Sequence, residues 1–214
     1  MGEETPAFGI PRVPERLEDV ARPRMRLLTP PELDPEDPET LRAAAAGDER
    51  AVRVLYRSHV DRVYRHVARV LGPHDPDVED VVQRVFLAAL DGAAGFSGRS
   101  KVSSWLLGIA TRRALDEARS RWRRGRWQRL GERVGLGRAD ARPDVRHDAL
   151  DEATALLQKL NPDQRTVFVL KEVEGHTFQE IADMTGVGIS TLHARLKAAR
   201  KRLDAALAEG GHRG

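Results

Sequence analysis

The side chains with most to offer a ligand in this sequence are cations and small hydroxyls, gathered at two places where a helix would begin. In the C-terminal one, Ser190, Thr191, His193, Ala194, Arg195 and Lys197 are followed by Arg200, Lys201 and Arg202. Residues at the start of such a helix reach base edges in a major groove, and cations further along neutralise phosphates. In the other, Phe96, Arg99, Ser100, Lys101, Ser103, Ser104 and Trp105 precede Arg112, Arg113, Arg119, Arg121, Arg123 and Arg124. Hydrogen-bonding groups, an aromatic and a run of cations suit single-stranded nucleic acid. Bases stack on aromatics for about 1–3 kcal/mol each, and arginines follow the backbone. Stacking of that size helps hold a base outside a duplex. Both stretches also fit plainer roles: a capped αα-hairpin with a solvated basic face, and a core tryptophan followed by a solvated helix end.

Catalytic chemistry finds no footing. There is no phosphate-cradling Gly-x-x-x-x-Gly-Lys-Ser/Thr loop, no Gly-x-Ser-x-Gly and no His-Glu-x-x-His. The sequence has no cysteine, which excludes disulfides and thiolate metal sites. His59 and His66 share a helix face two turns apart but lack a third ligand, so they read as interhelical or surface residues. Asp75, Asp77, Glu79 and Asp80 lack the glycine and terminal glutamate of a calcium loop. They fit a helix N-terminus, where negative charge is stabilised, or a protein-docking patch together with Gln83 and Arg84. No metal, cofactor or catalytic residue is expected.

Placing these residues requires helices. Thr177 and Glu180 form a capping box, Gly186 supplies the left-handed residue that ends a short helix, and Ser190 is a good N-cap for a second helix to about Leu207. Ala182 is small where the two would cross, and Ile181, Val187, Leu192 and Leu196 are spaced to hold them together. This is the pattern of a helix-turn-helix.

Upstream, residues 1–37 hold most of the prolines and too few apolar side chains to offset ordering entropy, so a disordered tail is expected. Residues 38–122 read as a helical domain. A short helix from Pro38 stops at Gly47. A longer one carries Val52, Leu55, Tyr56, Val60, Val63, Tyr64, Val67, Val70 and Leu71 at three- and four-residue steps and ends at Gly72. A third buries Val78, Val81, Val82, Val85, Phe86, Ala89 and Leu90, and a fourth Val102, Trp105, Leu106, Ile109, Ala110 and Ala114. Periodicity fades over 123–147, rich in Gly and Arg, which reads as a basic linker. It returns over 148–208, where Asn161 and Pro162 open a helix to about Glu174 ahead of the helix-turn-helix. Residues 209–214 form a closing tail.

The 214 residues are enough for two small domains. With 40% apolar and 32% charged residues they suit a globular chain with polar connections. A net charge of only +3 argues weakly for a polyanionic partner, so the clustering of arginine carries the inference. No apolar run approaches the ~20 residues of a membrane span, and a cytoplasmic location without membrane insertion is expected. The fold class is all-α, two small bundles joined by a flexible linker.

Several ordered motifs then carry a resemblance. Gly47-Asp-Glu-Arg-Ala-Val-Arg-Val-Leu-Tyr, Asp77-Val-Glu-Asp-Val-Val-Gln-Arg-Val-Phe-Leu and Phe96-Ser-Gly-Arg-Ser-Lys-Val-Ser-Ser-Trp-Leu-Leu-Gly-Ile-Ala are followed by Leu160-Asn-Pro-Asp-Gln-Arg-Thr-Val-Phe-Val-Leu and the helix-turn-helix. Together, over about residues 38 to 207, they resemble the extracytoplasmic-function (ECF) sigma factors, two-domain specificity subunits of bacterial RNA polymerase. The resemblance implies that Glu79, Asp80, Gln83 and Phe86 grip the clamp helices of the polymerase's largest subunit. It implies that Phe96 to Lys101 capture a flipped base of the downstream (−10) promoter element, while Ser104, Trp105, Arg112 and Arg113 help separate and hold its strands. It also implies that Ser190 to Arg200 read the upstream (−35) element as duplex, and that an anti-sigma factor is a partner. Two other readings use the same helices: a stand-alone helix-turn-helix regulator, which has no use for the Phe96 to Trp105 loop, and a scaffold making only protein contacts.

Overall fold

The structure, a computed structural model, describes residues 33–133 and 149–210, and these are helices and turns with no strand among them. The expected tail over 1–32, the linker beyond 133 and residues 211–214 lie outside the described residues.

Helix α1 (Pro38–Ala45) opens on Asp37, whose side chain accepts from the Glu39 amide at 2.9 Å. Gly47, at φ 95°, turns the chain so that Asp48 can cap α2 (Glu49–Leu71) by accepting from the amides of Arg50 and Ala51. Helix α3 (Val78–Gly92) runs through a 3-10 turn at Ala93–Gly95 into the loop before α4 (Val102–Arg133). Leu41, Leu55, Val63, Val67, Val85, Leu106 and Ala110 meet in one core, following the three- and four-residue steps of the sequence. Each large side chain buried there contributes about 1.5–3 kcal/mol.

Residues 33–37, which the composition assigns to the tail, are tied to this bundle. Leu33 packs on the core edge, the Pro35 carbonyl lies 3.3 Å from His59 Nε2, and Glu36 Oε2 accepts from the Ser103 amide at 3.1 Å. The first amides of α4 need an acceptor, and Glu36 provides one.

Helix α4 also runs past the linker boundary expected at residue 123, to Arg133. Arg, Trp, Gln, Leu and Glu all tolerate a helix, and Gly125 and Gly131 cost only about 1 kcal/mol each. Arg121 anchors this part by pairing with Asp75 and Asp77 ahead of α3, and lies 3.4 Å from Glu117 one turn back. Helix-dipole stabilisation is therefore not the whole account of those aspartates.

The C-terminal bundle comprises α5 (Ala149–Gln158), α6 (Pro162–Phe168), α7 (Phe178–Thr185) and α8 (Ile189–Gly210). Asn161 and Gln164 form a reciprocal capping box around Pro162. Helix α6 continues as a π-helical turn over Val169–Val173. Val167, Leu170, Ile181, Met184, Leu192 and Leu196 make the second core, and Leu107 of α4 is buried within it. The two bundles therefore pack directly on one another through α4.

Candidate nucleic-acid interface

Both halves of the capping box before α7 form: Glu180 N donates to Thr177 Oγ1 at 3.2 Å, and Thr177 N donates to Glu180 Oε2 at 2.7 Å. Gly186 takes the left-handed conformation at φ 69°. Helix α8 starts at Ile189, so Ser190 lies in its first turn instead of capping it. Gly188 takes the cap position, its carbonyl accepting from Leu192 N at 3.1 Å. Ile181 and Leu192 hold the crossing, with the Phe178 and His193 rings 3.8 Å apart between centroids. Ser190, Thr191, Ala194, Lys197 and Lys201 face solvent. Arg195 turns back to Asp163 at 3.0 Å, and Arg200, though exposed, pairs with Glu172 at 2.6 Å.

At the start of α4, Arg99, Ser100 and Lys101 are exposed and follow Gly98, at φ 70°. Burial raises the Glu36 carboxyl, but hydrogen bonds from Ser103 and the charges of His59 and Lys101 outweigh it and hold the group below its ordinary value. Phe96 is not open to a base. It is 5% exposed and packs against Trp105 with centroids 5.0 Å apart, because its loop closes the core beside Ala93 and Val102. Trp105 is half-buried and, with Lys101, Ser104 and Arg112, lines a cavity closed on its other side by Glu180 and Asp183 of α7.

That closure is part of a polar seam between the bundles. Arg112 donates to the Met184 carbonyl at 2.7 Å, and Arg119 donates to Asp163 at 2.6 Å. Buried His66 places Nδ1 2.9 Å from Glu174 Oε1 and Nε2 3.0 Å from Thr111 Oγ1, and Arg69 reaches the same Glu174 oxygen at 3.3 Å. Burial raises the Glu174 carboxyl, yet the neighbouring His176, the hydrogen bond and charge of His66 and the charge of Arg69 hold it well below the usual carboxylate range. Arg165, 6% exposed, donates to the carbonyls of Val70, Leu157, Leu160 and Gln158 at 2.7 to 3.3 Å. Burial draws its guanidinium down to about 10.

Comparison with known proteins bears on both halves. Sigma-70 region 2 matches residues 55–124 and sigma-70 region 4 matches residues 150–203. The ECF RNA polymerase sigma factor SigM of Mycobacterium tuberculosis is 31% identical over 171 residues, 78% of this chain and 82% of that protein. The chain belongs to the ECF family of RNA polymerase sigma factors. SigX of Bacillus subtilis is 29% identical, over 73% of this chain and 85% of that protein. Among solved structures, CnrH in complex with the cytosolic domain of CnrY is 26% identical with a TM-score of 0.54, covering 82% of this chain and 99% of that one. RpoE in complex with the anti-sigma factor NepR from Bartonella quintana, 23% identical with a TM-score of 0.53, shares the fold; it covers 73% of this chain and 96% of that one. The chain is thus an initiation factor that directs RNA polymerase to promoters, and not an enzyme.

On this sigma factor the α3 surface is split. Glu79, Asp80 and Gln83 are exposed, with Asp80 2.6 Å from Arg84, whereas Phe86 is 8% exposed and packs against Tyr56 with the rings tilted and their centroids 4.9 Å apart. Phe86 shares the stripe of Val78, Val82 and Ala89, so it supports this surface from below. Tyr56 and Leu87 are the apolar groups left open. Sequence reasoning missed Arg165, Glu174 and Glu36 as site-forming residues. For Arg165 the one available signal was a lone cation between the apolar positions of α6. No described helix is long and apolar enough to cross a membrane.

Proposed function

We propose that this ECF sigma factor reads the −10 element as a single strand with Arg99, Ser100, Lys101, Ser104, Trp105, Arg112 and Arg113. The −35 element is read as duplex by the outer face of α8, through Ser190, Thr191, Ala194 and Lys197, with Arg195 and Arg200 once they are released. Helix α3 docks on the clamp helices of the largest polymerase subunit through Glu79, Asp80 and Gln83, with Tyr56 and Leu87 completing the surface. The protein acts in the cytoplasm, and an anti-sigma factor is its inhibitory partner, as NepR is for RpoE.

One observation supports this reading: two helix starts with different chemistry stand on one chain. The first turn of α8 exposes small polar groups of major-groove size, and the start of α4 offers a partly open tryptophan among cations. Linking two weak readers raises the effective concentration of the second once the first has bound. The polymerase sets their spacing, and α4 must leave α7 for Arg112 to meet DNA. The test is transcription with core polymerase, this chain and promoter-bearing genomic fragments. Run-off start sites that depend on the chain support the reading. Repression, or no change, supports a stand-alone regulator or a scaffold.

A further inference from the structure

The last described turns of α4, where the cation run reaches Arg123 and Arg124, hold two tryptophans that neither reader uses. Trp127 is 72% exposed and Trp122 40% exposed, beyond the end of the first core. Around them stand Arg123, Arg124 and Arg126, and the Arg126 guanidinium lies 4.8 Å from the centroid of the Trp122 ring. Arg123 has no ion pair among the described residues. A large aromatic left as exposed as Trp127 is not serving the core.

Position along the helix says more. Counting from Trp105, Arg112, Arg119, Arg123, Arg126 and Trp127 follow after 7, 14, 18, 21 and 22 residues. Each lies within about a sixth of a turn of a whole number of turns, so all share one face. The face that begins with the strand-holding groups thus continues as cations and closes on a second tryptophan. Arg124 belongs to another face, held by Ser120 at 2.7 Å and Glu117 at 3.5 Å. From Arg113 to Trp127 the helix advances about 21 Å, or about six nucleotide steps of a stacked strand.

We infer that the end of α4 is a further DNA-binding site, taking the promoter strand where it leaves the −10 element, with Arg123 and Arg126 on phosphates and Trp127 against a base. The proposal rests on the single-strand reading of Trp105 and Arg112. Guanidinium groups pair with phosphate bidentately and tolerate stacking, which fits an Arg-only stripe interleaved with tryptophan. The Trp122 ring holds Arg126 in place along the stripe. An anionic membrane would instead call for a continuous apolar face, which this stripe lacks.

The experiment uses the full chain with core polymerase and three fork probes: one ending at the −10 element, and two adding about six nucleotides of single strand on one side or the other. Wild type is expected to bind one extended probe about tenfold more tightly than the short one. Trp127→Ala removes about tenfold from that probe alone. Arg123→Gln with Arg126→Gln flattens its salt dependence by about 1.4 in log–log slope, about 0.7 for each single-strand phosphate released. All three positions are exposed, so the fold tolerates the changes. Equal binding of all probes by wild type overturns the proposal while leaving the −10 reading intact, and failure on the short probe overturns that reading itself. Loss of binding to phosphatidylglycerol vesicles, or to polymerase without DNA, with probe discrimination unchanged, also overturns it by assigning the stripe to another partner.

Discussion

Arg112 donates to the carbonyl of Met184 at 2.7 Å, joining a cation of α4 to the last turn of the first helix of the helix-turn-helix. That carbonyl is among those a helix leaves unpaired at its negative end, so the contact is charge-assisted. The same guanidinium cannot hold a phosphate while it is made. Gly108 lets the helices approach there: a Cβ at this position would lie 3.6 Å from the Arg112 guanidinium and 3.8 Å from Met184. Gly108→Ala should be accepted, since those are ordinary contact distances, whereas Gly108→Leu should part the bundles. Small-angle scattering should show a larger radius for Gly108→Leu alone, with stronger binding of a −10 single strand in the absence of polymerase. An unchanged radius would sink the idea that this contact sets the packing.

Glu174 provides a pH test of the seam. Its folded carboxyl is held below the ordinary value, so its contribution is present above the unfolded pKa and is lost as pH falls through the folded one. The groups facing it are His66, Arg69 and His176. Glu174→Gln should cost about 1.5–3 kcal/mol in urea unfolding at pH 7, the worth of hydrogen bonds to a buried charge. The gap between the variant and wild type should begin to narrow below about pH 4.3. A gap that is constant with pH would show that the carboxylate charge is not what counts.

Three helix ends were legible because their chemistry is local, whereas the start of α8 and the end of α4 fell elsewhere than expected. Thr177 with Glu180, Asn161 with Pro162, and Gly186 each act within four residues, and the structure shows each cap. The first core was legible for the same reason, since Leu55, Val63, Val67, Leu106 and Ala110 announce themselves by spacing. What joins the bundles was not. His66 and Glu174 are 108 residues apart, and neither neighbourhood hints at the other. Glu36 looked like tail composition because its partner, the Ser103 amide, lies 67 residues away. Phe96 was assigned to recognition from its motif, but a phenylalanine at a loop-to-helix junction also closes a core, and sequence does not weigh the two.

Arg165 should be among the least replaceable residues of the C-terminal bundle. One planar group satisfies carbonyls from the ends of α2 and α5 and from Leu160 beside α6. Carbonyls at helix ends lack the amide donor of the next turn, and of these four Leu157 also accepts from the Leu160 amide, at 3.1 Å. Arg165→Lys keeps the charge but not the fork, and Arg165→Met keeps neither. Both should lower the unfolding free energy by about 3 kcal/mol, with Lys recovering little. Denaturant titration checks this, and near-complete recovery by Lys would show that charge alone matters.

Asp163 pairs with both Arg119 and Arg195, at 2.6 and 3.0 Å, so one carboxylate occupies a cation from α4 and one from α8. Asp163→Asn should release both. Binding of the isolated −35 duplex without polymerase should strengthen by a few-fold, consistent with freeing one group of base- or phosphate-contacting type. In the same assay Thr191→Ala and Lys197→Ala should weaken binding. If Asp163→Asn left duplex affinity unchanged, Arg195 would have no part in the −35 contact.

Phe96 and Trp105 are neighbouring rings with different fates, which a pair of substitutions should separate. Phe96→Ala opens a cavity in the first core and should cost about 3–5 kcal/mol of stability, lowering every activity together. Trp105 is only half-buried and edges the cavity beside Lys101 and Arg112, so Trp105→Ala should spare most of the stability. Its loss should appear after DNA is bound: initial binding of duplex promoter stays near wild type while open-complex formation falls, by about the 1–3 kcal/mol of one stacked base. Permanganate reactivity of promoter thymines reads opening directly, and a gel shift reads initial binding. A template melted beforehand should recover part of the defect, because the cost of unpairing has been removed. An equal defect on the melted template would confine Trp105 to holding the strand, and an equal defect in duplex binding would place it outside melting altogether.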